Sequence, residues 1–440
     1  MTVTDDERVA RATLCAIAEP GNALLGALVA RLGAGGAVAA IRAGTPPGDL
    51  VAGDKAGHRL AEYLASWRIR LRDADPIADL TVCDKLGGRL VCPGDAEWPT
   101  QLDDLGAARP HALWLRGPGD LRYGCLRSVA LVGARAASSY GLRVAADLAA
   151  ELCERGWAVI SGGAMGIDAA AHRGALAADG DTVAVFANGV DAPYPPSNDG
   201  LFAEMARRAL LLSESPPGTH PTRLRFLVRN RVIAALTRGT VVIEAAARSG
   251  ALNTATHARK LNRAVMAIPG PVTSRTSIGC HKLLRDTPPA RCVTNAAEII
   301  EEVGQLGDDL APEPRGPIHP RDMLDPTTRQ VLEAIPARGG AGPAQLAVKA
   351  GVDLNTARSR LGILAAAGFI ERCDQGWRLP RPKRGRATAP TQTARPPPIT
   401  ATPTARAKIA VLRRPISLPA TSTRSRPDST AVAVSALRSG

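Results

Sequence analysis

Between residues 126 and 305, short apolar runs alternate with longer stretches of helical spacing. The runs at 128–132, 157–160, 182–187, 209–213, 240–245 and 264–268 read as strands. The stretches at about 141–155, 166–178, 198–208, 225–236, 250–262 and 277–285 read as helices. Strands that are apolar without alternation are buried on both faces, which predicts a mostly parallel sheet between helix layers. Right-handed crossovers then make the fold α/β and extended Rossmann-like, with ligands at the carboxyl ends of the strands.

The flanks read differently. An N-terminal helical domain over 1–78 is predicted as short helices: Val9 to Ala18, Asn22 to Leu32, a turn at Gly33-Ala34-Gly35-Gly36, and Val38 to Arg42. Helix, glycine turn and helix suits either a plain cap or a small module touching DNA backbone. The Rossmann-like domain is expected over 79–306 and a Pro/Gly/Asp-rich linker over 307–324. Residues 325–380 predict helices at Thr327–Ile335, Pro343–Ala350 and Leu354–Ala367, then a hairpin around Asp374-Gln375-Gly376. That order is a winged helix, with Asn355, Arg358 and Ser359 facing out. It fits DNA reading and protein docking equally. Residues 381–440, rich in Pro, Thr, Ser and Arg, read as a disordered basic tail.

Charge changes the picture by its location. The net charge is +14, but 12 of the 55 basic and one of the 41 acidic residues lie after Pro380. The folded part is thus near neutral, and its basic pI says little about partners. The eight cysteines form no C-x-x-C pair and no histidines cluster with them, so neither a metal site nor a disulfide framework is expected. The acidic start is no signal peptide, and no run approaches a membrane span, so a cytoplasmic protein without a membrane partner is expected.

Two strand–turn–helix units carry the candidate chemistry. The first turn holds Gly133, Arg135, Ser138 and Ser139. The second, Ser161 to Asp168, holds Gly162, Gly163 and Gly166. Such turns set backbone N–H groups and a positive helix end where phosphate can sit. The second turn lacks the P-loop ending and the dinucleotide spacing, so no cofactor is expected. Asp168 either acts chemically or ties down its turn, and turn aspartates usually do the latter. His172 reads as a structural histidine. Arg229 and Arg231 bracket Asn230 at a helix start, where cations oppose the dipole. They suit an external anion or buried carboxylates, Glu214 and Glu244 being at hand. Ser249-Gly250 opens a third such helix. No catalytic set is readable, so binding without turnover is expected.

The ordered motifs Gly133-x-Arg135-x-x-Ser138-x-Tyr140-Gly141, Ser161-Gly162-x-Ala164-x-Gly166-Ile167-Asp168, Tyr194-Pro195-Pro196, Ser213-Glu214, Arg229-Asn230-Arg231, Glu244-x-x-x-x-Ser249-Gly250 and Pro269-Gly270 resemble the DprA/Smf family of DNA-processing proteins. The resemblance implies a dimeric, non-enzymatic protein that binds single-stranded DNA. It further implies loading of the RecA recombinase in natural transformation. It places Arg135 and Ser138 on phosphates, Gly162, Gly163 and Gly166 in a backbone cradle, and Arg229 and Arg231 lining or bracing the groove. Met165 stands where the family often has a basic residue, and Ala251 and Asn253 depart from its usual pattern. Two other classes stay open. One is a nucleotide-processing hydrolase on a Rossmann-like fold, although its Pro-Gly-Gly-x-Gly-Thr loop is missing. The other is a winged-helix DNA-binding regulator.

Overall fold

A computed structural model describes residues 3–44, 54–304, 309–311 and 320–380. The expected tail over 381–440 and most of the expected linker lie outside them. The chain divides into two compact units, Met1–Arg315 and Gly316–Gly440.

In the larger unit nine strands form one sheet: β1 (Gly88–Val91), β2 (Leu113–Arg116), β3 (Ser128–Val132), β4 (Ala158–Ser161), β5 (Thr182–Phe186), β6 (Leu210–Ser213), β7 (Gly239–Val242), β8 (Ala264–Ala267) and β9 (Arg291–Cys292). Their spatial order is β1-β2-β6-β5-β4-β3-β7-β8-β9. The strands from β6 through β9 in that order run parallel, whereas β2 is antiparallel to both β6 and β1. The order reverses at β3. The chain first winds outward through β4, β5 and β6, then returns to β3's other side as β7. Loops leaving β3 and β7 therefore diverge and open a crevice at the carboxyl edge.

The helices of this unit are α1 (Asp5–Ile17), α2 (Ala23–Ala43), α3 (Asp54–Asp73), α4 (Pro76–Lys85), α5 (Leu121–Leu126), α6 (Ser139–Glu154), α7 (Ile167–Ala177), α8 (Asp199–Arg208), α9 (Arg223–Leu236), α10 (Gly250–Lys260), α11 (Ile278–Arg285) and α12 (Ala296–Val303). Alternate residues of β3 show why its run is wholly apolar. Ala130 and Val132 pack with α9 and α10, while Val129 and Leu131 pack with α6, α7 and α12. Burying both faces of each strand is what stabilises a parallel sheet. The mostly parallel α/β fold is as the periodicity predicts; the antiparallel edge β1–β2 is an addition.

α1 starts earlier than expected. α2 is two helical segments meeting at Gly33, whose φ 72° and ψ 172° are not helical. A break thus falls where the glycine turn is expected, and the second segment runs on from it to Ala43. By length and composition α2 is also apolar enough to cross a membrane, contrary to the expectation that no run is. In the fold its Leu25, Leu28, Ala34, Ala37 and Ile41 pack with Leu14 and Ile17 of α1 and Leu64 and Trp67 of α3.

The smaller unit holds α13 (Pro326–Ala334), α14 (Pro343–Ala350) and α15 (Leu354–Ala366), then β10 (Glu371–Cys373) paired antiparallel with β11 (Gly376–Arg378). Asp353 caps α15 by accepting from Asn355 N and Thr356 N, both at 3.0 Å. Asn355, Arg358 and Ser359 are exposed on it.

Candidate nucleic-acid interface

The crevice between the β3 and β7 loops is a groove of about 620 Å³, with α9 forming its wall. Gly133 and Arg135 enter from β3, and Arg248, Ser249 and Gly250 from β7. The helix supplies Arg223, Phe226, Leu227 and Asn230, spaced by three or four residues so that they share one face.

Arg135 is exposed, and its guanidinium lies 4.8 Å from the centre of the Phe226 ring. Arg229 approaches the same ring at 5.9 Å, and Tyr194 tilts against it at 6.0 Å. The groove lining thus carries one aromatic ring, Phe226, beside two cations, with Tyr194 against that ring from outside the lining. Arg223 and Arg248 add two more exposed guanidinium groups.

The floor is buried and polar. Arg229 donates to the Gly162 carbonyl at 2.8 Å and to the Val185 carbonyl. Burial lowers its pKa to about 10, with nearby Asp168 opposing the fall, so it stays charged at neutral pH. Asp168 accepts from Ala164 N at 3.4 Å, and burial raises its pKa despite Arg229. Arg229 Nε, a donor only, meets Asn230 Oδ1 at 3.3 Å, and the Gly250 carbonyl, an acceptor only, meets Asn230 Nδ2 at 3.3 Å. These contacts fix the Asn230 amide. Its Nδ2 also donates to Asn253 Oδ1 at 3.2 Å, which leaves the Asn253 amide nitrogen as a donor on the groove wall.

Of the predicted residues, Gly133, Arg135, Arg229, Ser249 and Gly250 line this groove. The others do not, each for a physical reason. Ser138 donates its hydroxyl to Glu244 at 2.6 Å and its amide to the same carboxylate at 2.8 Å. The α6 N-terminus therefore already holds an anion, the protein's own, and Thr276 donates a third bond to it at 3.0 Å. Ser139 begins α6 and is exposed outside the groove. Gly162 lies beneath Arg229, whose guanidinium would meet any Cβ at 2.5 Å, and Gly163 packs on Phe202 and Phe186. Gly166, at φ +82°, lets its turn close on the Ala134 carbonyl, where a Cβ would sit at 2.3 Å. Arg231 is paired with Glu214 at 2.6 Å through both nitrogens and braces α9 from behind. These glycines pack against the protein's own groups and Arg231 pairs with Glu214, so none of them lines this groove.

The profile of the family described as DNA recombination-mediator protein A matches residues 89–304. The putative DNA processing protein DprA of Mycobacterium tuberculosis is 45% identical over 394 residues, 87% of this chain and 97% of that one. The chain belongs to the DNA recombination-mediator protein A family. The X-ray structure of DprA from Streptococcus pneumoniae is 28% identical and covers 69% of this chain and all of that one, with a TM-score of 0.55. A structure reporting the single-stranded DNA binding mode of DprA from Helicobacter pylori is 27% identical. It covers 48% of this chain and 94% of that chain, with a TM-score of 0.44.

Sequence reasoning missed Arg223, Phe226 and Arg248. Arg223 precedes the expected helix start at 225, and Phe226 shares a helical face with Asn230 that only the fold turns toward the groove. Arg248 is unremarkable until the β7 loop places it beside Ser249.

Proposed function

We propose that this protein binds single-stranded DNA in the groove between the β3 and β7 loops, without catalytic turnover. The observation that carries this reading is Phe226 flanked by Arg135, with Arg223 and Arg248 at the same mouth. Guanidinium groups hold phosphates, and an aromatic ring stacks a base of any identity. A duplex keeps its bases stacked inside, so Phe226 and Tyr194 favour a single strand. The α10 N-terminus adds backbone N–H groups to the groove. Asp168, the carboxylate in the lining, is committed to its own turn, which supports binding over catalysis.

The family supports the finer reading: a cytoplasmic protein that protects incoming DNA and hands it to the RecA recombinase during transformation. A second copy of the chain would dock on the exposed Val272 and Ile278 with His281 and Leu284, which line a hollow of about 530 Å³.

The test is fluorescence anisotropy with a labelled oligonucleotide, on the full chain and on a chain ending at Pro380. Tight binding that survives removal of the basic tail and outcompetes duplex is expected. Loss of all binding with the tail would overturn the groove as the site.

A further inference from the structure

The groove face of α9 is described above; its other contacts reach the N-terminal helices. Arg225 is absent from the groove lining. It donates to the Glu19 carboxylate through Nε at 2.8 Å and Nη2 at 2.9 Å, and through Nη1 to the His220 carbonyl at 2.8 Å. Glu19 sits between α1 and α2 and also meets Arg70 of α3 at 3.6 Å. Two residues on, Gly21 lies so close to Arg231 that a Cβ would meet its Nε at 2.8 Å. Arg231 Nε in turn donates to the Ala108 carbonyl at 3.0 Å. The α1–α2 connection thus touches α9 at both of its off-groove arginines.

This contact answers an electrostatic problem. The first turn of α9 carries Arg223 and Arg225 and no acid. Positive charge there opposes the helix dipole and promotes fraying. The same turn supplies two groove residues, Arg223 and Phe226. Glu19 is the carboxylate beside it, and Arg225 holds that carboxyl below its usual range, so the pair is ionised at neutral pH.

We propose that Glu19 is a positioning residue for DNA binding: through Arg225 it holds the first turn of α9 so that Arg223 and Phe226 face the groove. This rests on the groove being the single-strand site. Simple field effects predict the opposite sign, because removing an acid near a cationic groove should tighten DNA binding.

The experiment is anisotropy titration of a labelled oligonucleotide across a salt series, using the full chain. Glu19→Ala and Arg225→Ala should each weaken binding about fivefold, with the log–log salt slope shallower by about 0.7, as one phosphate contact is lost. Glu19→Asp, which keeps a carboxylate between Arg225 and Arg70, should hold affinity within about twofold of wild type. Denaturant titration of each variant separates the causes: a merely structural role lowers stability and leaves the affinity and salt slope of the folded chain unchanged. Tighter or unchanged binding by Glu19→Ala, or a loss in Glu19→Asp equal to that in Glu19→Ala, overturns the proposal. If the wild-type chain fails to bind the oligonucleotide, the groove reading fails first, and the two failures are told apart.

Discussion

Arg231 and Glu214 form a two-point ion pair at 2.6 Å, with side chains only 6% and 8% exposed. The arginine of an apparent phosphate-binding motif is thereby committed to the protein's own carboxylate. Removing either partner strands a buried charge, which costs about 3–5 kcal/mol. Arg231→Ala should therefore lower unfolding stability by about that amount in denaturant titration. The salt slope of oligonucleotide binding, measured where the variant is folded, should not change. A slope shift with intact stability would put Arg231 on DNA.

Arg135 is the opposite case. It is exposed, and its recorded partner is a ring. Arg135→Ala should leave stability within about 0.5 kcal/mol of wild type. Its salt slope for single-strand binding should fall by about 0.7, the signature of one lost phosphate contact. Wild-type affinity and slope in the chain ending at Pro380 would remove Arg135 from the interface.

Apolar periodicity made the sheet legible because buried strands leave no polar positions to confuse it. The bounds of β3, β4, β5, β6 and β8, and the starts of α7 and α10, fall within a residue of expectation, whereas β7 stops three residues early, at Val242. The edge pair β1–β2 was not legible, since four-residue strands set between α4, a 3₁₀ segment and α5 carry little period. At the groove, motif spacing pointed at the loops that line it but could not assign their sides. Ser138 and Arg231 look like anion binders in one dimension. Pairing of Arg231 with a buried carboxylate is one of its two sequence readings; the fold selects Glu214 for it and adds Glu244 as the partner of Ser138. Conversely, Arg223 and Phe226 sit on an apolar helix whose groove face emerges only when the β3 and β7 loops meet it.

Phe226 separates stacking from charge. Phe226→Ala should weaken single-strand binding by about 1–3 kcal/mol, the usual worth of a base–aromatic stack, while the salt slope stays unchanged. Phe226→Trp should retain most of the affinity. Equal loss in both variants would show that the ring only props Arg135 and does not meet a base.

The last prediction concerns acid. His172 is fully buried in α7. The Thr182 hydroxyl donates to the Val159 carbonyl at 2.7 Å, so His172 Nδ1, 2.7 Å from that hydroxyl, is the donor to it. Its Nε2 has no hydrogen-bond partner. Protonating Nε2 would bury a charge with an unmet donor, and burial lowers the histidine pKa from 6.5 to about 3. Above pH 6.5 the ring is neutral whether the chain is folded or not. Between there and about 3 the unfolded chain binds the extra proton, so stability falls as pH falls. The slope from this group approaches about 1.4 kcal/mol per pH unit. Denaturant titrations in steps from neutral to acid pH should therefore show a shallower loss for His172→Gln than for wild type. Parallel losses for the two chains would mean that another group governs the acid limb.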